Sequence, residues 1–312
     1  MAPNTLISIV SPVYMAEKII PELVKRIKEE VSKITEHFEI ILVEDCGADD
    51  SWHCIEEEGK KDQRIKGIKL SRNFGQHHAI TAGLSYAQGD YTVIIDCDLQ
   101  DNPKYILDLY NKAVEGNDIV YTIKKSRKHS FFKNVTAIVF NRIFNYLSEN
   151  KTSKADKNVG AFSMLSKKVV NSFLMIKDTH RHYLMVLRTL GFQNAYIEIE
   201  HENRFEGKSS YSFSKLMKHA INGITSQSDK LLRISVSVGF AMFCLSILWA
   251  IYILYKYFTT GLMSGYTSTI VVQLLGTGLI LISIGITGIY IGKIFEQTKN
   301  RPLFIIDKYS NL

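Results

Sequence analysis

Asp96 and Asp98 stand one residue apart in the stretch IIDCDLQDNP, at the end of the apolar run Tyr91 to Ile95. Two carboxylates so spaced beyond a strand can turn oxygens into one space, which suits a hard divalent cation such as Mg2+ or Mn2+. A diphosphate ligand would complete the coordination. On spacing alone the same stretch also reads as a helix N-terminus, with Asp101 or Asn102 capping ahead of Pro103. Two other loops offer related chemistry. VEDCGADDS places Glu44 and Asp45, able to accept from a base N–H or a ribose hydroxyl, just ahead of a helix start at Asp49 to Ser51 where negative charge is favoured. SPVYMAE presents Pro12, Tyr14 and Glu17 after the first strand-like run. No G-x-G-x-x-G and no G-x-x-x-x-G-K-[ST] follows a strand-like run, so dinucleotide-binding and P-loop readings have no support.

These loops need a scaffold that ends strands in one place. Ile7 to Val10, Glu39 to Val43, Ile65 to Leu70 and Tyr91 to Ile95 read as short buried strands. Helical patterns lie between them, near Glu22 to Ile34, Ser51 to Gly59 and His77 to Gln88. Alternation of this kind predicts an α/β fold with helices on the faces of a sheet, and ligands in such sheets bind beyond the carboxyl ends of the strands.

The 312 residues, 46% of them hydrophobic, suffice for one or two ordinary domains, and no internal repeat is visible. Charge is spread through the first 230 or so residues and then nearly vanishes. Ile234 to Tyr255 and Tyr257 to Gly292 carry no charged residue. A bilayer core needs about 20 apolar helical residues, and a central charge there costs roughly 2.5 to 3.5 kcal/mol, so two spanning helices are expected. Lys230, Arg233, Lys293, Lys299 and Arg301 flank the hairpin ends, against Lys256 near its loop, which places both ends on the cytoplasmic side. The start MAPNTLISIV lacks the pattern of a signal peptide. Cys46, Cys54, Cys97 and Cys244 show no metal or redox spacing. The net charge of +7 fits anionic lipid and phosphate ligands; no nucleic-acid module accompanies it.

The order PVYxAE, VEDCGADDSW, LSRNFGQHHAITAGLSYAQGD, DCDLQDNP and RFEGKSSYSFSKL, followed by the apolar hairpin, resembles one family over nearly the whole chain. It is that of the family 2 GT-A glycosyltransferases of the dolichyl-phosphate mannose synthase type, in particular their bacterial branch acting on undecaprenyl phosphate. The resemblance implies a nucleotide-sugar donor around Pro12, Tyr14, Glu17 and Asp45, with Arg72 and Asn73 shaping its pocket. It implies metal and diphosphate at Asp96 and Asp98, the donor sugar or phosphate at Gln100, and phosphate contacts from Arg127, Arg204, Lys208, Ser209 and Tyr211. Arginine suits phosphate because its planar fork binds two oxygens at once, although a structural ion pair is the competing account of Arg204. The expected division is a cytoplasmic GT-A catalytic domain at 1–210, an amphipathic juxtamembrane segment at 211–233, membrane helices at 234–256 and 268–292, and a cytoplasmic tail at 293–312. Phe213, Leu216, Met217, Ala220, Ile221 and Ile224 form one apolar stripe in that juxtamembrane segment, and Phe132 to Leu147 offers a second such helix.

Two departures from the family pattern bear on the acceptor. Relatives carry an Asp in a G-D-F-R-L stretch where this chain has Ala161, and Lys124 stands where Arg is common. A phosphate acceptor is largely ionised at neutral pH and needs no strong base, whereas a hydroxyl acceptor does. The expectation is therefore inverting transfer of a hexose-type sugar from a UDP or dTDP donor to a polyprenyl phosphate, with Asp156 or Asp101 available to stand in for the lost acid. Transfer to a hydroxyl of a lipid or glycan, and a catalytically impaired membrane scaffold, are the other readings. A homo-oligomer is compatible with each.

Overall fold

The computed structural model describes residues 5–124, 159–179, 181–200, 230–260 and 265–312. The chain divides into two compact units, one holding residues 1–128, 152–210 and 301–312, the other 129–151 and 211–300.

The first unit is built on a sheet of eight strands among the described residues: β1 (Ile7–Val13), β2 (Phe38–Glu44), β3 (Ile65–Leu70), β4 (Tyr91–Ile94), β5 (Ile119–Lys124), β6 (Val159–Ser166), β7 (Asn194–Ile199) and β8 (Ile306–Ser310). Their spatial order is β7-β5-β6-β4-β1-β2-β3-β8. β3, β2, β1 and β4 run parallel, while β6 is antiparallel to both β4 and β5. All seven residues of β1 and of β2 are buried. Both faces are covered, which is why these strands read as continuous apolar runs.

One face is covered by α1 (Ile20–Val31), α2 (Ser51–Lys61) and α4 (Ile106–Val114), the other by α3 (Gln76–Tyr86), α5 (Lys167–Met175) and α6 (Tyr183–Thr189). α1 buries Ile20, Leu23, Val24, Ile27 and Val31, the stripe a helix laid on a sheet must have. Gly83 lets α3 come close, since a Cβ there would sit 2.3 Å from Val10 Cγ1.

The second unit contains α7 (Lys230–Thr260) and α8 (Tyr266–Thr298), of 31 and 33 residues. Each contains a window apolar enough to cross a membrane, Lys230–Trp249 at mean hydropathy 2.1 and Leu275–Thr298 at 1.9. At about 1.5 Å per residue either helix exceeds a hydrocarbon core of about 30 Å. Both outrun the uncharged spans, because Lys256, Lys293 and Glu296 end an apolar stretch without ending a helix.

Residues 293–312 are not the tail expected. α8 continues to Thr298, and Ile306–Ser310 returns to pair antiparallel with β3. The 211–229 part of the juxtamembrane stripe and the candidate helix from Phe132 to Leu147 lie outside the described residues.

Candidate active site

The neighbours of β1 in the sheet are β2 on one side and β4 on the other. The loops leaving the carboxyl ends of β1 and β4 therefore open a crevice at the point where the strand order reverses. Asp96 and Asp98 follow β4 there, and Tyr14, 51% exposed, follows β1. The Tyr14 backbone N–H reaches the Cys97 sulfur, joining the two loops. Burial pushes the Cys97 thiol up to about 12, so it is no nucleophile.

Gln76, the first residue of α3, donates from Nε2 to Asp96 Oδ1 at 2.6 Å. Burial, then the nearby charges of Asp101 and Asp98, raise the Asp96 carboxyl to about 6. Asp98 Oδ1 accepts the Gln100 backbone N–H at 3.1 Å, closing a turn in which Leu99 takes φ 56°. The turn holds the second carboxylate beside the first. Asp101, 2% exposed, is ion-paired with Lys124 Nζ at 3.1 Å. Gly160 lies against these two side chains: a Cβ there would come 3.2 Å from Lys124 Cε and 3.8 Å from Asp101 Oδ2.

Asp45 is buried, and both of its oxygens are taken up by the loop after β3: Oδ1 accepts Phe74 N–H at 2.7 Å and Oδ2 accepts Gly75 N–H at 2.8 Å. Burial raises its pKa and these two bonds oppose the rise. Gly75, at φ 95°, gives the chain the turn that brings both N–H groups to one carboxylate. Arg72 is exposed, its guanidinium over the Phe74 ring at 4.3 Å. Glu17 Oε2 accepts Asp50 N–H at 3.0 Å, while the Glu17 N–H donates to Asp49 Oδ2 at 3.1 Å. Acidic groups at the start of α2 suit its partial positive charge and tie the β1 and β2 loops together. Pro12 is buried within β1. Glu44, 1% exposed, accepts the Gly47 N–H, and its pKa is raised, chiefly by burial.

The arrangement thus brings Tyr14, Glu17, Asp45, Arg72, Asp96, Asp98 and Gln100 to the carboxyl ends of β1, β2, β3 and β4. Arg127, Arg204, Lys208, Ser209, Tyr211 and Asp156 lie outside the described residues. Ala161 sits on β6 with its face toward α3 and α6, where Ser163 Oγ is 2.8 Å from the Ala161 carbonyl and 2.7 Å from Tyr183 Oη. Asp101 stands on the Gly160 side, and neighbouring residues of a strand face opposite ways. Asp101 therefore does not fill the place of a carboxylate at 161. Gln76 was missed in the sequence; it is a neutral side chain at a helix start, and only the fold carries it to Asp96.

A mixed sheet with this order, its acidic pair beyond β4 and its antiparallel β6 define a GT-A fold. Residues 8–174 match the model of glycosyl transferase family 2. The chain is 36% identical to the uncharacterized glycosyltransferase YkcC of Bacillus subtilis, over 99% of this chain and 95% of that one. It is 32% identical to the SfII prophage-derived bactoprenol glucosyl transferase of Shigella flexneri, covering 97% of each. Among solved structures, glucosyl-3-phosphoglycerate synthase of Mycobacterium tuberculosis, crystallised with Mn2+, UDP and glucosyl-3-phosphoglycerate, superposes with a TM-score of 0.50 at 16% identity, over 71% of this chain and 78% of that one. The chain belongs to glycosyl transferase family 2 and is a glycosyltransferase.

Proposed function

We propose that this enzyme transfers a hexose-type sugar from a UDP- or dTDP-sugar to a polyprenyl phosphate at the cytoplasmic membrane face, with inversion. The observation that carries the reading is the Asp96–Asp98 pair beyond β4, in a chain bearing two helices apolar enough to hold it at a bilayer. Kinship with a bactoprenol glucosyl transferase over almost the full length supports the acceptor.

Two carboxylates fit Mg2+ or Mn2+ whose remaining positions go to a diphosphate and water; among the described residues no larger cluster of ligands competes. Asp96 and Asp98 would hold the ion, and the charge it supplies stabilises the departing nucleoside diphosphate. Burial first, and the charges of Asp101 and Asp98 after it, raise the Asp96 pKa, and a bound cation would oppose that rise. An acceptor phosphate oxygen attacks the anomeric carbon from the face opposite the diphosphate. The carbon–oxygen bond to the diphosphate breaks, and its electron pair stays on the diphosphate oxygen. Because the acceptor oxygen is already ionised, no side chain must remove a proton, and Ala161 is compatible with turnover. Tyr14 and Asn73 line the donor side, while Gln100 and the cation Lys124 stand where phosphate or sugar oxygens would be met.

Detergent-solubilised protein and its Asp98→Asn variant, incubated with UDP- and dTDP-hexoses, undecaprenyl phosphate and Mn2+, test this by mass spectrometry of the lipid fraction. Metal-dependent glycosyl-phosphoryl lipid from the wild type alone is expected. Sugar recovered only on hydroxyl acceptors, or equal product from the variant, would overturn it.

A further inference from the structure

The loop 71–76 carries Arg72, receives both oxygens of Asp45 and, through Gln76, holds Asp96. It leaves the sheet beside β8. The β3–β8 ladder runs from Gly67↔Ser310 to Leu70↔Ile306 and shifts register between Lys69 and Leu70, at the edge of this loop. Beyond the last pair, Ser71 N–H donates to the Ile305 carbonyl at 2.9 Å. Phe304 and Ile306 pack against the same core cluster as Phe74, whose ring lies under Arg72. Farther along, Asn311 Nδ2 donates to the carbonyls of Gly59 at 2.7 Å and Ile65 at 3.0 Å, and Tyr309 Oη lies 2.9 Å from Tyr86 Oη. Gly59 and Gly67 leave room for this seating, since a Cβ at either would come within 3.2 Å of Ser310 or Asn311.

We infer that the segment Phe304–Asn311 is a positioning element of the donor pocket: its docking on β3 holds the 71–76 loop, and with it Arg72 and the Gln76 contact to Asp96, in the form that binds the nucleotide diphosphate. The loop is fixed from three directions, by Asp45, by Asp96 and by Ile305. Without the third, the N–H of Ser71 and the underside of Phe74 open to water, and ordering the loop must be repeated at each binding event. The inference rests on the donor reading above, and its readouts are chosen to separate the two.

Two variants weaken the docking without touching the loop. Asn311→Gly removes the side-chain bonds at a residue with φ 57°, which glycine tolerates, and is combined with Tyr309→Phe; the second variant lacks residues 303–312. UDP with Mn2+ is titrated by calorimetry, donor KM and kcat are measured, and trypsin cleavage after Arg72 is followed by mass spectrometry. Expected are faster cleavage after Arg72 in both, a several-fold weaker UDP affinity and higher donor KM in the double variant, about tenfold in the deletion, and a kcat little changed at saturating donor. Cleavage, affinity and donor KM all equal to wild type in the double variant, with its melting temperature showing that β8 has loosened, would overturn the inference. A fall in kcat alone would likewise assign β8 to general stability. Should wild type bind neither UDP nor dTDP in the same titration, the donor reading fails, while cleavage after Arg72 still decides whether β8 holds the loop.

Discussion

Asp96 lies where its own charge is disfavoured: burial and two neighbouring acids raise it to about 6, and the Gln76 amide opposes the rise. The sign of the consequence follows from linkage. From about pH 4 to about pH 6 the folded chain keeps a proton that the unfolded chain has released, so the metal-free protein loses stability as pH rises through that window. A divalent cation held by Asp96 would need the ionised form and would reverse this above pH 6. Mn2+ should therefore raise the melting temperature clearly at pH 7.5 and little at pH 5, with its apparent affinity falling by up to about tenfold per unit below pH 6. Thermal unfolding with and without Mn2+ at the two pH values checks it; an equal shift at both would remove Asp96 from the metal site. The acidic pair itself was legible from its spacing, but Gln76 was not, because its partner is 20 residues away and the link exists only once α3 lies on the sheet.

At the scale of elements, the approach of α3 to the sheet sets where Gln76 and the 71–76 loop can be. Gly83→Ala forces a methyl to within 2.3 Å of Val10 Cγ1, and the strand is buried on both faces with nowhere to move. Overpacking of this kind costs about 1–3 kcal/mol, to be seen as a lowered urea midpoint with an unchanged m-value. Donor KM should rise as well, since α3 must tilt away from β1 and β2 and carries Gln76 with it. β1, β2 and β4 were readable because strands covered on both faces are largely apolar, while β3 keeps Ile65, Ile68 and Leu70 buried around two half-buried lysines. β8 was not readable: IDKYS is short, polar and half exposed, as an edge strand is, and its partner precedes it by some 240 residues, with the Asn311–Ile65 bond spanning 246. β6 was met only as a motif, because Gly160 and Ala161 break the β-branched pattern at the end nearest the site.

At the scale of the molecule, β7 and β8 belong to one hydrogen-bonded sheet although both apolar helices lie between them in the chain. A folded sheet cannot straddle a bilayer, so the chain must cross the membrane an even number of times between Ile199 and Ile306. Two helices satisfy this parity. Deleting Tyr266–Thr298, and so leaving one crossing, should carry Ile306–Ser310 to the opposite side of the membrane. Reporter fusions after Leu312 would switch compartments relative to the intact chain, and donor KM would rise as it does on removal of residues 303–312. An unchanged reporter would mean that the two helices do not both cross.

The place of β8 also fixes an order of events during synthesis. β1 to β7 leave the ribosome first, but β3 must wait as an unpaired edge while two long apolar helices are made. For that interval the nascent enzyme exposes a strand edge of the kind that recruits foreign strands. Completion of the sheet therefore follows the making of both apolar helices: the last strand of the first unit is set only after the segments long and apolar enough to cross a membrane have left the ribosome.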